Sequence, residues 1–339
     1  MNAGRIVSRA LTRTLWIGGI AVVALGATRG AARGATTRGG DAGRDNSAMA
    51  ATGAAVVPDI AGSALNAVSL ASLPRDTVYG RSGKLRVRFV SARRGAFALP
   101  ILTQLFGDSA ARTPGVYTVP DSAAAQPISF VTLLPFETKV KGTVGAYRIG
   151  FWPEERGRLR SDAYENPDGF VIVTPENQDL QVSEHFRLRD FLTHDQQDVW
   201  PKYMVLEDAL VDKLELVIQD LQAHGVRVDR MRVMSGFRTP AYNAQGVGRK
   251  GGRAKDSRHQ FGDAADVFVD NNGDGRMDDL NHDRRVDSRD AKVIVAAVER
   301  VERAYPELAG GGGIYRATRA HGPFAHIDAR GWRARWSRS

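Results

Sequence analysis

The chain has 339 residues, enough for about two domains of ordinary size, each with a core of its own. A formal net charge of +9 and a pI near 10.0 favour anionic partners without choosing among nucleic acid, anionic lipid and acidic wall polymers. Cysteine is absent, which excludes disulfide frameworks and thiolate zinc sites and leaves imidazole and carboxylate as the groups for any metal.

At the N-terminus, Arg5, Arg9 and Arg13 lead into an apolar run from Leu15 to Ala27 that ends in small residues, so residues 1–27 read as a signal peptide or signal anchor. That run is shorter than the ~20 apolar residues a membrane-spanning helix needs. The expectation is an exported protein, periplasmic or extracellular, that meets a membrane only through this signal and is a monomer. Residues 28–72 hold Ala, Gly, Ser, Thr and Arg with few large apolar side chains, the composition of a disordered tether. From 73 to 155 strand signals recur: Leu85–Val90 alternates, Ile128–Leu133 follows and Gly145–Phe151 closes, which predicts a small antiparallel all-β domain. Residues 156–181, rich in Pro, Asn and Gly, read as a connector.

A second globular unit runs from 182 to 339. Met204, Leu206, Leu210, Leu214, Val217, Ile218 and Leu221 fall at three- and four-residue steps and predict a helix over Tyr203–His224, stopped by Gly225. Arg232–Met234 reads as a short strand and Ala264–Val269 as a buried one. A second helix spans Lys292–Tyr305, ended by Pro306. The fold class is therefore α+β, a small antiparallel sheet with flanking helices preceded by the β domain and the tether.

Chemistry concentrates in Ser257-Arg258-His259-Gln260-Phe261-Gly262-Asp263-Ala264-Ala265-Asp266 and in Phe324-Ala325-His326-Ile327-Asp328. Two imidazoles and one carboxylate make a three-ligand zinc set that leaves one coordination position open, the pattern of hydrolytic centres. Side chains alternate faces along a strand, so His326 and Asp328 look the same way. Asp266 stands in an apolar strand, where an unpaired carboxylate is costly unless a cation compensates it. If the two strands pair antiparallel, Asp266 and His326 can meet one metal, with His259 arriving from the preceding loop.

These motifs resemble the zinc D-alanyl-D-alanine carboxypeptidase family, which is related to lysostaphin-type enzymes and the hedgehog domain. The similarity covers roughly Val182 to Trp336, through Glu184-His185-Phe186 with Leu188 and Phe191, Ser235-Gly236-Phe237-Arg238-Thr239-Pro240, Ser257-x-His259-x-x-Gly262-x-Ala264-x-Asp266 and Phe324-x-His326-Ile327-Asp328. The resemblance implies that His259, Asp266 and His326 are zinc ligands, that residues 182–339 form a metallopeptidase domain, and that the substrate is bacterial cell-wall peptide. Arg238 looks like the family arginine that holds a carbonyl oxygen or a substrate carboxylate, tasks its guanidinium fork suits. Many relatives place an acidic residue three positions before the last histidine, where this chain has Pro323. Asp328 is then the candidate base or, equally, the group that orients His326, and His321 is a second candidate for proton transfer or oxyanion support. Ser257 is expected to support the loop carrying His259.

Between the metal-bearing strands lies an acidic insert, 270–290. Asp270, Asn272 and Asp274, then Asp279, Asn281, Asp283, Asp287 and Asp290, place oxygen ligands at the alternate steps of a calcium loop. The second half resembles a dockerin-type loop, departing from it at Arg284 where Gly is usual. The first half has Asn281 where an acid closes such loops. Calcium here is expected to brace the substrate cleft and not to perform chemistry.

The leading function is an exported zinc peptidase of peptidoglycan stem peptides, trimming a terminal D-Ala or cutting a cross-link. The competing one is a catalytically inactive wall-binding module on the same fold. Nucleic acid is suggested by charge alone, without an aromatic-interleaved basic motif, and conflicts with export.

Overall fold

The structure is a computed structural model that describes residues 87–90, 103, 106–110, 112–119, 128–248 and 252–338. The expected signal segment and tether lie outside the described residues. No helix among the described residues is long and apolar enough to cross a membrane.

The architecture is α+β, with several small sheets and three α-helices among the described residues. In chain order the strands are β1 (Val87–Val90), β2 (Gly115–Val119), β3 (Ile128–Thr132), β4 (Leu134–Pro135), β5 (Thr143–Val144), β6 (Tyr147–Arg148), β7 (Gly169–Val173) and β8 (Lys202–Met204). Helix α1 (Asp208–Ala223), β9 (Met231–Ser235), the short α2 (Pro240–Gln245), β10 (Ala264–Val269), α3 (Ser288–Ala304), β11 (Gly311–Tyr315), β12 (Phe324–Asp328) and β13 (Ala334–Arg338) follow.

The N-terminal sheet has the order β1-β3-β2 and is mixed. β2 is antiparallel to β3, as alternation suggested, but β1 runs parallel to it. The strand expected over Gly145–Phe151 is instead a two-residue hairpin, with Thr143 facing Arg148 and Val144 facing Tyr147. β7 falls within the stretch read as a connector. It pairs with β4 and β8, and its Phe170, Val171 and Val173 are buried in one cluster with Tyr147, Ile149 and Trp152 and with Leu210, Leu214 and Leu221 of α1. Core residues thus run on across 155 and 181 into the following helix. Trp152 makes the link specific: its ring N–H donates to the carbonyl of Gln260, the neighbour of His259, at 2.8 Å.

Helix α1 begins at Asp208, not Tyr203, because Tyr203 and Met204 pair with Ile172 and Val171 as β8. Their three-and-four spacing with Leu206 and Leu210 fits either element, and the available strand partner decides. α3 begins four residues earlier than the apolar pattern showed. Asp287 accepts from Arg289 N and Asp290 accepts from Asp287 N, a reciprocal cap that fixes the first turn.

The five-stranded sheet has the order β13-β11-β12-β10-β9, antiparallel throughout except for the parallel pair β11–β13. α3 packs on β11 and β12 and against α1. Ala265, Val267, Ala325 and Ile327 join the hydrophobic core, so the alternate residues Asp266, His326 and Asp328 point to the other face.

Candidate metal centre

The antiparallel register of β10 and β12 sets Asp266 directly opposite His326. His259 enters from the 3-10 turn Arg258–Phe261 that leads into β10, with Ser257 at its start. The three side chains are 1%, 4% and 6% exposed for His259, Asp266 and His326. His259 Nε2 lies 3.2 Å from His326 Nδ1 and 3.3 Å from Asp266 Oδ1, and His326 Nδ1 lies 2.9 Å from Asp266 Oδ1. A tetrahedral ion with bonds of ~2.0–2.1 Å has ligand atoms about 3.3 Å apart. This triangle of one carboxylate oxygen and two ring nitrogens fits such an ion.

Each ring is held through its other nitrogen. His259 Nδ1 donates to the Gly236 carbonyl at 2.7 Å, which leaves Nε2 as the lone-pair nitrogen facing the trio. On the far side of His326, Nε2 donates to Asp328 Oδ2 at 3.0 Å. The remaining oxygen of Asp266 accepts from Arg238 at 2.5 Å, and Arg238 Nε donates to Ser235 Oγ at 2.8 Å. Carbonyl and carboxylate partners of this kind fix ligand tautomer and orientation.

Asp328 is fully buried, and both of its oxygens are engaged: Oδ1 takes the N–H of Gly311 at 2.6 Å, and Arg330 donates to both. Glycines make this close packing feasible. A Cβ at Gly311 would collide with the Asp328 carboxylate, and one at Gly313 would lie 2.5 Å from the Trp336 ring. Of the two expected roles for Asp328, the geometry is that of the group that orients His326.

His321 sits in the loop before β12, its Nδ1 donating to the Gly322 carbonyl at 2.8 Å and its ring edge-on to Phe324 at 5.0 Å. From Phe324 a row of rings continues through Tyr315, stacked at 4.5 Å, to Trp336, whose N–H reaches Tyr315 Oη at 3.0 Å, and on to His326 at 5.1 Å. Sequence reasoning missed this aromatic wall because its members come from three separate strands.

Electrostatics separate the two imidazoles. Burial pushes His259 down to about 4, and Asp266 only partly offsets it. Burial also opposes charge on His326, but hydrogen bonds to Asp266 and Asp328 outweigh it and hold that imidazole up to about 9. Against its own burial, Asp266 is held well below the usual carboxylate range by the two imidazoles. A trio of one ionised carboxylate, one neutral imidazole and one that gives up its proton can hold a divalent ion. The chain matches no family model, no curated protein and no solved structure.

A second trio, Glu184, His185 and Glu215, also has ligand atoms within 4.8 Å of one another. There Glu215 accepts from the backbone N–H of His185 at 2.9 Å and meets its Nδ1 at 2.7 Å, which ties the Glu184-His185-Phe186 turn to α1. The carboxylates of the acidic insert form no such trio. Asp279, Asn281 and Asp283 each accept from backbone N–H groups within their loop, and Asp287 and Asp290 cap α3. A cleft of about 550 Å³ opens beside Arg258, Asp263 and Arg330 and is rich in carboxylates, including Glu154, Asp162 and Glu165. His259, Asp266 and His326 do not line it.

Proposed function

We propose that this protein is an exported zinc-dependent peptidase that hydrolyses peptide bonds of bacterial peptidoglycan, as a D-Ala-D-Ala carboxypeptidase or a cross-link endopeptidase. One observation carries the reading: His259, Asp266 and His326 converge with ligand atoms 2.9 to 3.3 Å apart while their outer atoms are anchored by Gly236, Arg238 and Asp328. Two imidazoles and one carboxylate without sulfur is a donor set that suits zinc in a hydrolytic centre. When bound, zinc supplies polarisation of a scissile carbonyl and acidification of water.

The chain's own residues supply the rest. Asp328 and the Gly236 carbonyl orient the rings, and Arg238 holds the non-ligand oxygen of Asp266 in place. Trp336, Tyr315 and Phe324 form an apolar wall beside His326 that limits water on that side. A basic chain suits an anionic wall polymer. The finer architecture belongs to the same reading: a signal over 1–27, a tether over 28–72, a β region from 73 and a metallopeptidase unit over 182–339.

Mass spectrometry of wall digests, comparing the native protein with His259→Ala, tests the proposal. Release of D-Ala or of split cross-links by the native protein alone supports it, and identical product patterns remove it.

A second reading, a catalytically inactive wall-binding module, draws on Pro323 and on the engaged Asp328, which together leave the usual base positions without a free carboxylate. Zinc content measured with muropeptide turnover separates the two, since a binder retains ligand and releases no new amine.

A further inference from the structure

Two twelve-residue windows of calcium-loop spacing overlap in the insert, 270–281 and 279–290, and share Asp279 and Asn281. Sequence spacing alone treats them alike. The structure does not: only the first keeps a buried carboxylate oxygen without a hydrogen-bond partner.

In the second window Arg289 occupies the place of a cation. Its guanidinium pairs with Asp283 Oδ2 at 2.5 Å and with Asp287 Oδ2 at 2.7 Å. Asp290, the closing acid, is committed to backbone: Oδ1 accepts from Leu280 N at 2.9 Å and Asn281 N at 3.3 Å, and Oδ2 from Asp287 N at 2.8 Å. No carboxylate oxygen of that window is buried without a hydrogen-bond partner.

The first window differs at its first residue. Asp270 is 0% exposed. Its Oδ2 accepts from the N–H of Gly275, in the same loop, at 3.2 Å and from Arg232 at 3.1 Å, whereas its Oδ1 is buried with no hydrogen-bond partner. A buried anionic oxygen left unpaired costs far more than a neutral one, so this atom fits a cation. In the same loop Asn272 Oδ1 accepts from Asp274 N, Asp274 Oδ1 from Arg276 N and Asp278 Oδ2 from Asn271 N, each at 2.9 Å, so the acids and amide at the ligand steps present oxygen. Hard oxygen donors select calcium over zinc.

We propose that the loop from Asp270 to Asn281 binds one calcium ion through Asp270 Oδ1 and oxygens of Asn272, Asp274 and Asp278, and that Arg289 keeps the following window from binding a second. The ion would sit at the end of β10, four residues beyond Asp266. Asp270 N already donates to the Arg230 carbonyl at 3.0 Å and Asp278 N to the Val269 carbonyl at 2.9 Å, so the loop clamps the β9–β10 edge. The proposal does not rest on the peptidase reading.

Equilibrium dialysis of the full chain against calcium alone tests it. The expected result is one calcium per chain, affinity lowered at least about tenfold by Asp270→Asn, and unchanged by Asp283→Asn. Asp274→Asn, at an exposed position, should weaken binding similarly with an unaltered circular dichroism spectrum, which guards against a misfolded Asp270 variant. His259→Ala should bind calcium as the native chain does, separating this loop from the zinc centre. Failure of the native chain to retain calcium, two ions per chain, or equal losses from Asp283→Asn and Asp270→Asn would each overturn the proposal.

Discussion

Asp266 and Asp328 grip His326 from opposite ends of its ring, Oδ1 of the first at 2.9 Å from Nδ1 and Oδ2 of the second at 3.0 Å from Nε2. A single imidazole between two buried carboxylates has its orientation, its charge and its coordinating nitrogen fixed together. Most of the testable behaviour of the centre follows from that arrangement.

Asp328→Asn should weaken zinc retention by about 10–100-fold, the usual effect of removing a carboxylate behind a metal-bound imidazole. Zinc content after dialysis against a graded chelator measures this. The base role for Asp328 would be restored by a variant that keeps its zinc yet loses turnover.

Zinc uptake at pH 7 should release about one proton per ion, because His326 is protonated up to about 9 whereas His259, down at about 4, is already neutral. Calorimetry in buffers of different ionisation enthalpy reads the number directly. Acidification below about 9 should lower affinity, as protons compete for Nδ1.

The same imidazole links stability to pH in the metal-free protein. His326 has a folded pKa of about 9 against an ordinary 6.5, so the folded state holds its proton more tightly than the unfolded state does. That contribution is fully present below about 6.5 and is lost as pH rises through about 9. Denaturation midpoints of chelator-treated protein should fall across this window. Zinc-loaded protein, in which the ion replaces the proton, should not show the fall.

Arg238→Met leaves Asp266 Oδ2 buried without its guanidinium. In the metal-free chain this should cost roughly 3–5 kcal/mol, the range for breaking a buried ion pair from one side. With zinc bound the loss should be smaller, since the ion offsets the carboxylate charge. Equal losses in both states would mean that Arg238 acts on something other than Asp266.

Beneath the centre, Lys213 is fully buried and donates to Glu302 Oε1 at 2.7 Å and to the carbonyl of Asp328 at 2.6 Å. Lys213→Met should destabilise by about 3 kcal/mol or more and also loosen zinc, because β12 loses its anchor at the residue that holds His326. Adding Glu302→Gln should restore only part of the stability, as Glu302 also pairs with Arg335 and accepts from Gly310 N. Urea titration of the two variants gives both numbers.

The parts of the site that lie within one strand or one turn were readable from residues. Asp266 in an all-apolar strand signalled a compensating cation, and the two-residue step from His326 to Asp328 placed both on one strand face. What escaped was contributed from afar: the Trp336, Tyr315 and Phe324 wall, and Trp152, whose ring N–H holds the carbonyl of Gln260. Local patterns also misled where two elements share a spacing, as at Tyr203 and Met204, which join β7 through β8 instead of beginning α1.

The sequence by itself excluded thiolate as a donor, since the chain has no cysteine, and it determined which face of β10 and β12 carries imidazole and carboxylate, through the period of two along a strand. Tertiary structure alone decided that Asp328 supports His326 and that, of two similar loops, only the first keeps a buried carboxylate oxygen, Asp270 Oδ1, without a hydrogen-bond partner. Spacing records which side chains a segment presents, but the folded backbone settles which partners reach them and which oxygens remain free.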